Sequence, residues 1–121
     1  MDHILDNPAW NALTSGNKSM SLGTETVKYF SDDVAPFIGF KEYTFENFNT
    51  LYNHFKEGRR CAVVSANEIT FPHSWKIIER LNILQMAYIK PFVKPFDNKN
   101  IVPLGNMDIE EMTQLTQLTH P

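Results

Sequence analysis

One thiol, four histidines, the adjacent acids Asp32-Asp33 and the adjacent arginines Arg59-Arg60 are groups in this chain that could do chemistry. Cys61 opens the apolar run Arg60-Cys-Ala-Val-Val-Ser65. A nucleophilic thiolate needs an electropositive, partly exposed setting, so this position reads as a buried structural thiol, with Arg59 and Arg60 the only nearby source of activating charge. His3, His54, His73 and His120 are isolated from one another, and no His-x3-His or Cys-x2-Cys pair exists, so no zinc-ligand pattern is present. His54 falls on the polar side of a helical repeat. His73, in Thr70-Phe-Pro-His-Ser-Trp75, is the most eligible of the four because loops carry function more often than helix faces do. Ser65, Ser74 and the threonines of the tail offer hydroxyls, but a triad is assembled in space and no spacing reveals one. Asp32-Asp33 follows Ser31 in a turn cluster and reads as solvated charge rather than a catalytic carboxylate pair. Arg59-Arg60 after Gly58 could meet an anion such as a coenzyme phosphate, although a solvated strand entry is the simpler account. The five glycines (Gly16, Gly23, Gly39, Gly58, Gly105) are too dispersed for a phosphate-cradling loop. The catalytic residues therefore remain unknown from the sequence, and no cofactor-binding or metal-ligating residue is assigned.

The elements that would position these groups are easier to read. Asn7 as cap, Pro8 at the first helical position and Gly16 at the exit frame a helix with Trp10 and Leu13 facing inward. Thr26–Phe30 and Pro36–Phe40 read as two strands of a hairpin around Ser31-Asp-Asp33. Thr44 caps the clearest helix, with Phe45, Phe48, Leu51, Tyr52 and Phe55 as its apolar stripe and Gly58 as its stop. Arg60–Ser65 reads as a buried strand and 66–74 as loop. Trp75–Ile89 fits either one helix or two strands, Trp75–Glu79 and Ile83–Ile89, with isoleucine content and Pro91 leaning to strands. Lys90–Asn100 carries two prolines and reads as a linker. Its rings Phe92 and Phe96 would dock against a further domain. Ile101–Gly105 is a candidate edge strand. Asp108 and Glu111 form a capping box for a last helix whose stripe is Ile109, Met112, Leu115 and Leu118. That helix reads as the first of a new unit, with nothing after it to pack against.

Composition narrows the function classes. The chain has 121 residues, 42% of them hydrophobic, with nine Phe, four Tyr and two Trp, which suffices for a core. The net charge is −3 and the basic residues are scattered, giving no nucleic-acid footprint. The first residues lack the basic and apolar regions of a signal peptide, and no apolar run reaches the roughly 18 residues of a membrane span. With a single cysteine, no internal disulfide forms, which fits a cytoplasmic location. The expectation is an α+β fold with a mixed, mostly antiparallel sheet and two or three flanking helices.

The order of landmarks carries a resemblance. Asp6-Asn-Pro-Ala-Trp-Asn-Ala-Leu-Thr14, Ala35-Pro-Phe37, Gln85-Met86, Val102-Pro-Leu-Gly105, Asp108-Ile-Glu-Glu-Met112 and Leu118-Thr-His-Pro121 resemble the N-terminal part of bacterial two-part proteins of the GNAT superfamily of acetyl-CoA-dependent N-acetyltransferases. In that family a degenerate or lid-like GNAT-related region precedes the working acetyltransferase domain. The resemblance implies a GNAT-related domain over 1–100 and, over 101–121, the start of the C-terminal domain. It also implies a Gly-Pro-Phe continuation beyond Pro121. The family's coenzyme loop, Gln/Arg-x-x-Gly-x-Gly/Ala, would follow, and it is absent from these 121 residues, so no family catalytic residue is carried onto any position here. The resemblance favours the two-strand reading of Trp75–Ile89. It implies a scaffold for the acceptor-substrate side of an N-acetyltransferase, inactive alone. Its partners would be the C-terminal GNAT domain and a small-molecule or peptide amine, with acetyl-CoA bound by the full protein. A non-enzymatic dimerisation module using the last helix's stripe is the alternative, and a small hydrolase built on His73 or Cys61 is a third reading.

Overall fold

A computed structural model of the chain describes residues 3–92 and 99–119. The architecture is α+β, with a three-stranded antiparallel sheet and three α-helices. Two compact units divide the chain, Met1–Met86 and Ala87–Pro121, and each is described by itself.

In the first unit the expected hairpin forms. Strand β2 (Val27–Tyr29) pairs with β3 (Ile38–Phe40), Val27 opposite Phe40 and Tyr29 opposite Ile38. A short strand β1 (Leu22–Gly23), not foreseen from the sequence, adds to the other edge of β2. Gly23 has φ +110°, and a Cβ there would run into the Val27 carbonyl, so the turn from β1 to β2 requires glycine. The run Arg60–Ser65, expected as a buried strand, contributes a single parallel bridge between Ala62 and Phe37. Two hydrogen bonds hold it, Ile38 N–H to the Ala62 carbonyl at 3.0 Å and Ala62 N–H to the Pro36 carbonyl at 2.9 Å. Beyond that bridge Arg60 is exposed, residues 61–65 are half-buried, and Cys61 and Val63 pack against the core.

Helix α1 (Pro8–Thr14) begins at Pro8 as expected. Asn7 is not a side-chain cap, because its amide Nδ2 donates to the Phe40 carbonyl at 2.7 Å and ties the helix start to the end of β3. Leu13 and Ala9 are buried, whereas Trp10 is only half-buried. The helix crosses β3 so closely at Gly39 that a Cβ would sit 2.5 Å from the Trp10 nitrogen and 2.7 Å from its Cα. Backbone meets backbone there, and the Trp10 side chain is left at the rim. Helix α2 (Phe45–His54) starts with Thr44 accepting from the Asn47 N–H at 3.2 Å. It stops before Gly58, since Phe55 is already extended (φ −99°, ψ 145°). Leaving the helix lets the Phe55 ring stand perpendicular to Tyr29 with centroids 5.0 Å apart and face Trp75.

The core is Val27, Ile38, Phe40, Phe48 and Leu51, walled by Tyr29, Tyr43, Phe55, Cys61, Val63, Ile69, Phe71 and Trp75. Each fully buried side chain of this kind stabilises the fold by about 1.5–3 kcal/mol. Of the expected α2 stripe, Phe48 and Leu51 are inside, but Phe45 and Tyr52 are exposed.

Trp75–Glu79 and Ile83–Ile89 are not strands. A strand exists only as part of a hydrogen-bonded ladder, and no described residue forms a ladder with these backbones. Ile101–Gly105 forms no strand for the same reason. In the second unit, α3 (Ile109–Thr119) follows a 3-10 turn over Asn106–Asp108. The Asp108 carboxylate is not the cap of α3; it turns back to accept from the Gly105 N–H at 2.8 Å. None of the α3 side chains is buried, so the stripe Ile109, Met112, Leu115 and Leu118 lies open among the described residues. No helix is long and apolar enough to cross a membrane among the described residues.

Candidate functional site

Among the described residues of the first unit, two of the concavities differ in how much polar chemistry converges on them. The richer one, a cleft of about 500 Å³, lies where three stretches of chain meet: the turn into α1, the exit of β3 at Lys41–Tyr43, and the segment Ser65–Asn67. That volume is within the roughly 300–1,000 Å³ of small-molecule sites. Its floor is fixed by a relay. The Asn7 amide, oriented by its bond to Phe40, presents Oδ1 to the Tyr43 hydroxyl at 3.4 Å, and the same hydroxyl lies 3.2 Å from the Val64 carbonyl. The phenol has one proton for these two acceptors. Burial pushes its pKa above the ordinary 10.0, with a hydrogen bond to Ser65 acting weakly the other way, so the ring stays a neutral donor.

Around that floor, Trp10 supplies an aromatic wall, and Asp6 and Lys41 supply opposite charges. The Asp6 carboxylate uses Oδ2 to accept from the His3 N–H at 2.7 Å, and His3 Nδ1 accepts from the Leu5 N–H at 3.1 Å. Asn11 Nδ2 donates to the Ile4 carbonyl at 2.6 Å, anchoring the entry turn. His3 is therefore a local cap rather than a free base.

The second concavity, about 410 Å³, is held by the loop 68–80 and includes His73. Arg80 lies 3.9 Å from Glu68 in an exposed ion pair, and its guanidinium stands 5.9 Å from the Phe71 ring. The indole N–H of Trp75 is buried there with no acceptor. Among the described residues no serine, cysteine or carboxylate hydrogen-bonds to His73, which is exposed.

The remaining candidates are dispersed. Cys61 is half-buried; burial pushes its thiol above the ordinary 9.0, outweighing the pull of Arg59, so it is a poor nucleophile. His54 contacts its own helix through Nδ1 and the Thr50 carbonyl at 2.7 Å. Ser65 accepts from the Asn67 N–H at 3.1 Å, and Ser74 lies in an exposed turn. Asp33 accepts from the Ser31 hydroxyl. His120 and Phe96 lie outside the described residues, while Phe92 is described and exposed. No group of three potential metal ligands occurs among the described residues.

Arg59 corrects the expectation of a solvated strand entry. Only 11% of its side chain is exposed. Its guanidinium carbon stands 4.0 Å from the Phe55 ring centroid and 5.2 Å from that of Tyr29, and Nη2 donates to the Phe30 carbonyl at 2.7 Å. Its Nε is 3.6 Å from the Asp32 carboxylate. The residue ties Phe55, just past the end of α2, to the end of β2 at Tyr29 and Phe30, with its charge largely buried, whereas Arg60 is exposed.

Sequence reasoning missed the cleft because its members are spread from His3 to Asn67 with no motif spacing. The one signal was the polar-aromatic cluster Asp6-Asn-Pro-Ala-Trp-Asn11. No protein-family model, no curated protein and no solved structure matches this chain.

Proposed function

We propose that this chain is the N-terminal, acceptor-side scaffold of an acetyl-CoA-dependent N-acetyltransferase of the GNAT superfamily, working in a cytoplasmic protein together with a C-terminal acetyltransferase domain. The observation that carries the reading is the open stripe of α3: Ile109, Met112, Leu115 and Leu118 line one helix face and none is buried among the described residues. Such a face is the docking side of an amphipathic helix. The landmark residues of the sequence and the α+β architecture support the same reading. On it, the coenzyme-binding loop belongs to the C-terminal domain. In the full protein the acceptor nitrogen attacks the thioester carbonyl, the C–S bond breaks, coenzyme A leaves as its thiol, and the amine gives up one proton. This half holds and orients the amine.

The test has two parts. A thermal melt of the chain with saturating acetyl-CoA is expected to be cooperative and unshifted, because a ligand raises the melting temperature only where it binds the native state. A saturable rise places a coenzyme site within these residues and overturns the division of labour. The reading frame after codon 121 is expected to continue into Gly-Pro-Phe and the coenzyme loop; a stop codon there overturns the two-part reading.

The same open stripe favours a second reading, a module that dimerises through α3. Light scattering separates the two: a concentration-dependent dimer that Leu115→Ser abolishes supports it, and a strict monomer removes it.

A further inference from the structure

The cleft beside α1 has a charge pattern that the scaffold role leaves unexplained. Asp6 and Lys41 both line it, yet they do not pair. The ion pairs of the described residues are Arg59 with Asp32 and Arg80 with Glu68. One Asp6 oxygen is occupied by the His3 N–H, and the other, on an exposed side chain, has no partner among the described residues. The Lys41 backbone is tied to the Thr26 carbonyl at 2.9 Å, but its exposed ammonium has no acceptor among the described residues. Opposite charges on one cleft that leave each other unpaired complement a ligand carrying both charges itself.

We propose that this cleft binds a small zwitterion, a free α-amino acid, with its ammonium on Asp6 and its carboxylate on Lys41. Trp10 provides the surface on which an apolar side chain lies. The floor is braced by the Asn7 bond to the Phe40 carbonyl at 2.7 Å and by the longer Tyr43 contacts to Asn7 and Val64, which lowers the ordering required on binding. Asn67 and Tyr43 also line the cleft, and the one phenol proton is already committed to the Asn7 and Val64 oxygens. A nucleotide or other polyanion is disfavoured by the Asp6 carboxylate, and a simple cation by Lys41. The inference deepens the proposed function by naming the acceptor class, and it rests on that reading only for the fate of the ligand. Binding itself is a property of this chain.

The experiment is an NMR titration of the whole chain without acetyl-CoA, following the Trp10 indole and the backbone N–H signals of residues 4–11 and 41–43. Free L-amino acids are added one by one up to millimolar concentration. The strongest binder is then compared with its N-acetyl form, which lacks the cation, and its carboxamide, which lacks the anion. Saturable shifts confined to these residues are expected, with each capped form weaker by about tenfold or more, the loss of one charge-assisted hydrogen bond. Asp6→Asn retains an acceptor for the His3 N–H, and Lys41→Met keeps the stem; each should weaken binding about as much with an unchanged melt. If no amino acid shifts these signals, or if a capped form binds as well as the free one, the proposal is overturned. That failure leaves the acetyl-CoA and reading-frame tests untouched, so the two ideas fall separately.

Discussion

Ile38 and Ile89 are the same residue in similarly apolar surroundings, yet Ile38 is 1% exposed and Ile89 is 90% exposed. The contrast holds for whole regions. Between Val27 and Trp75, apolar side chains meet across a sheet and a helix, and the rings of Phe40, Phe48 and Phe71 pack in series, tilted to one another, with centroids 4.5 and 5.1 Å apart. Between Ile77 and Phe92, equally apolar side chains stand open, with Leu84 at 95% exposure. Hydropathy is not the difference. The first region has turns and a hairpin that return the chain onto itself, whereas no described residue closes a ladder with the second. Exposed apolar side chains of this kind are what an interaction site would cover.

The comparison is broken or sharpened by a graded series of changes. Phe48→Ala removes a ring at 0% exposure that touches Phe40, Phe71 and Trp75. It should cost about 3–5 kcal/mol, read by urea denaturation, and a loss below about 1 kcal/mol would show that the core is not where the burial places it. Gly39→Val inserts side-chain carbon against the α1 backbone and should cost about 1–3 kcal/mol or more, with the fluorescence of Trp10 shifting as the helix is pushed off β3. Arg59→Met keeps the stem between Tyr29 and Phe55 but removes the bond to Phe30; about 1–2 kcal/mol should go, and the loss should be nearly independent of salt because the site is shielded.

A smaller effect is expected with pH. Burial raises the Cys61 thiol above 9.0 and the Tyr43 phenol above 10.0 in the folded state, so as pH rises the unfolded chain releases these protons first. Stability from both groups is therefore complete below 9.0 and is lost above it, first through Cys61 and then through Tyr43. A melting temperature flat through neutral pH and falling on the alkaline side checks this. Cys61→Ala should remove the earlier part of the fall and Tyr43→Phe the later. Smallest of all, Leu84→Ser should change stability by less than about 0.5 kcal/mol while reducing the binding of a hydrophobic dye. A large loss would mean that Leu84 is buried in solution and would end the contrast between the two regions.

Much of the fold was legible because local rules carried it. Pro8, Thr44 and the alternation around Ser31-Asp-Asp33 mark helix starts and a hairpin through backbone geometry that neighbouring residues decide. Trp75–Ile89 was not legible for the opposite reason. Its pattern suits strands, but pairing is non-local and depends on what else is present. The Asp108 cap failed more narrowly: its carboxylate has a choice of backbone donors within one turn, and the 3-10 turn gives it Gly105. The candidate cleft was the least legible part, since Asp6, Lys41 and Asn67 are brought together by the docking of α1 on β3 and of the 61–67 segment on the sheet edge.

The sequence by itself determined the α+β character, the hairpin, both helices of the first unit and the open stripe of α3, because each follows from propensity, capping and period within a few residues. Only the tertiary structure decided that Arg59 is a clamp, that Asn7 ties a helix to a strand rather than capping it, and that unpaired opposite charges share one cleft. Those facts depend on distances between residues 29 to 36 positions apart. No local pattern encodes such distances until the chain has closed on its core.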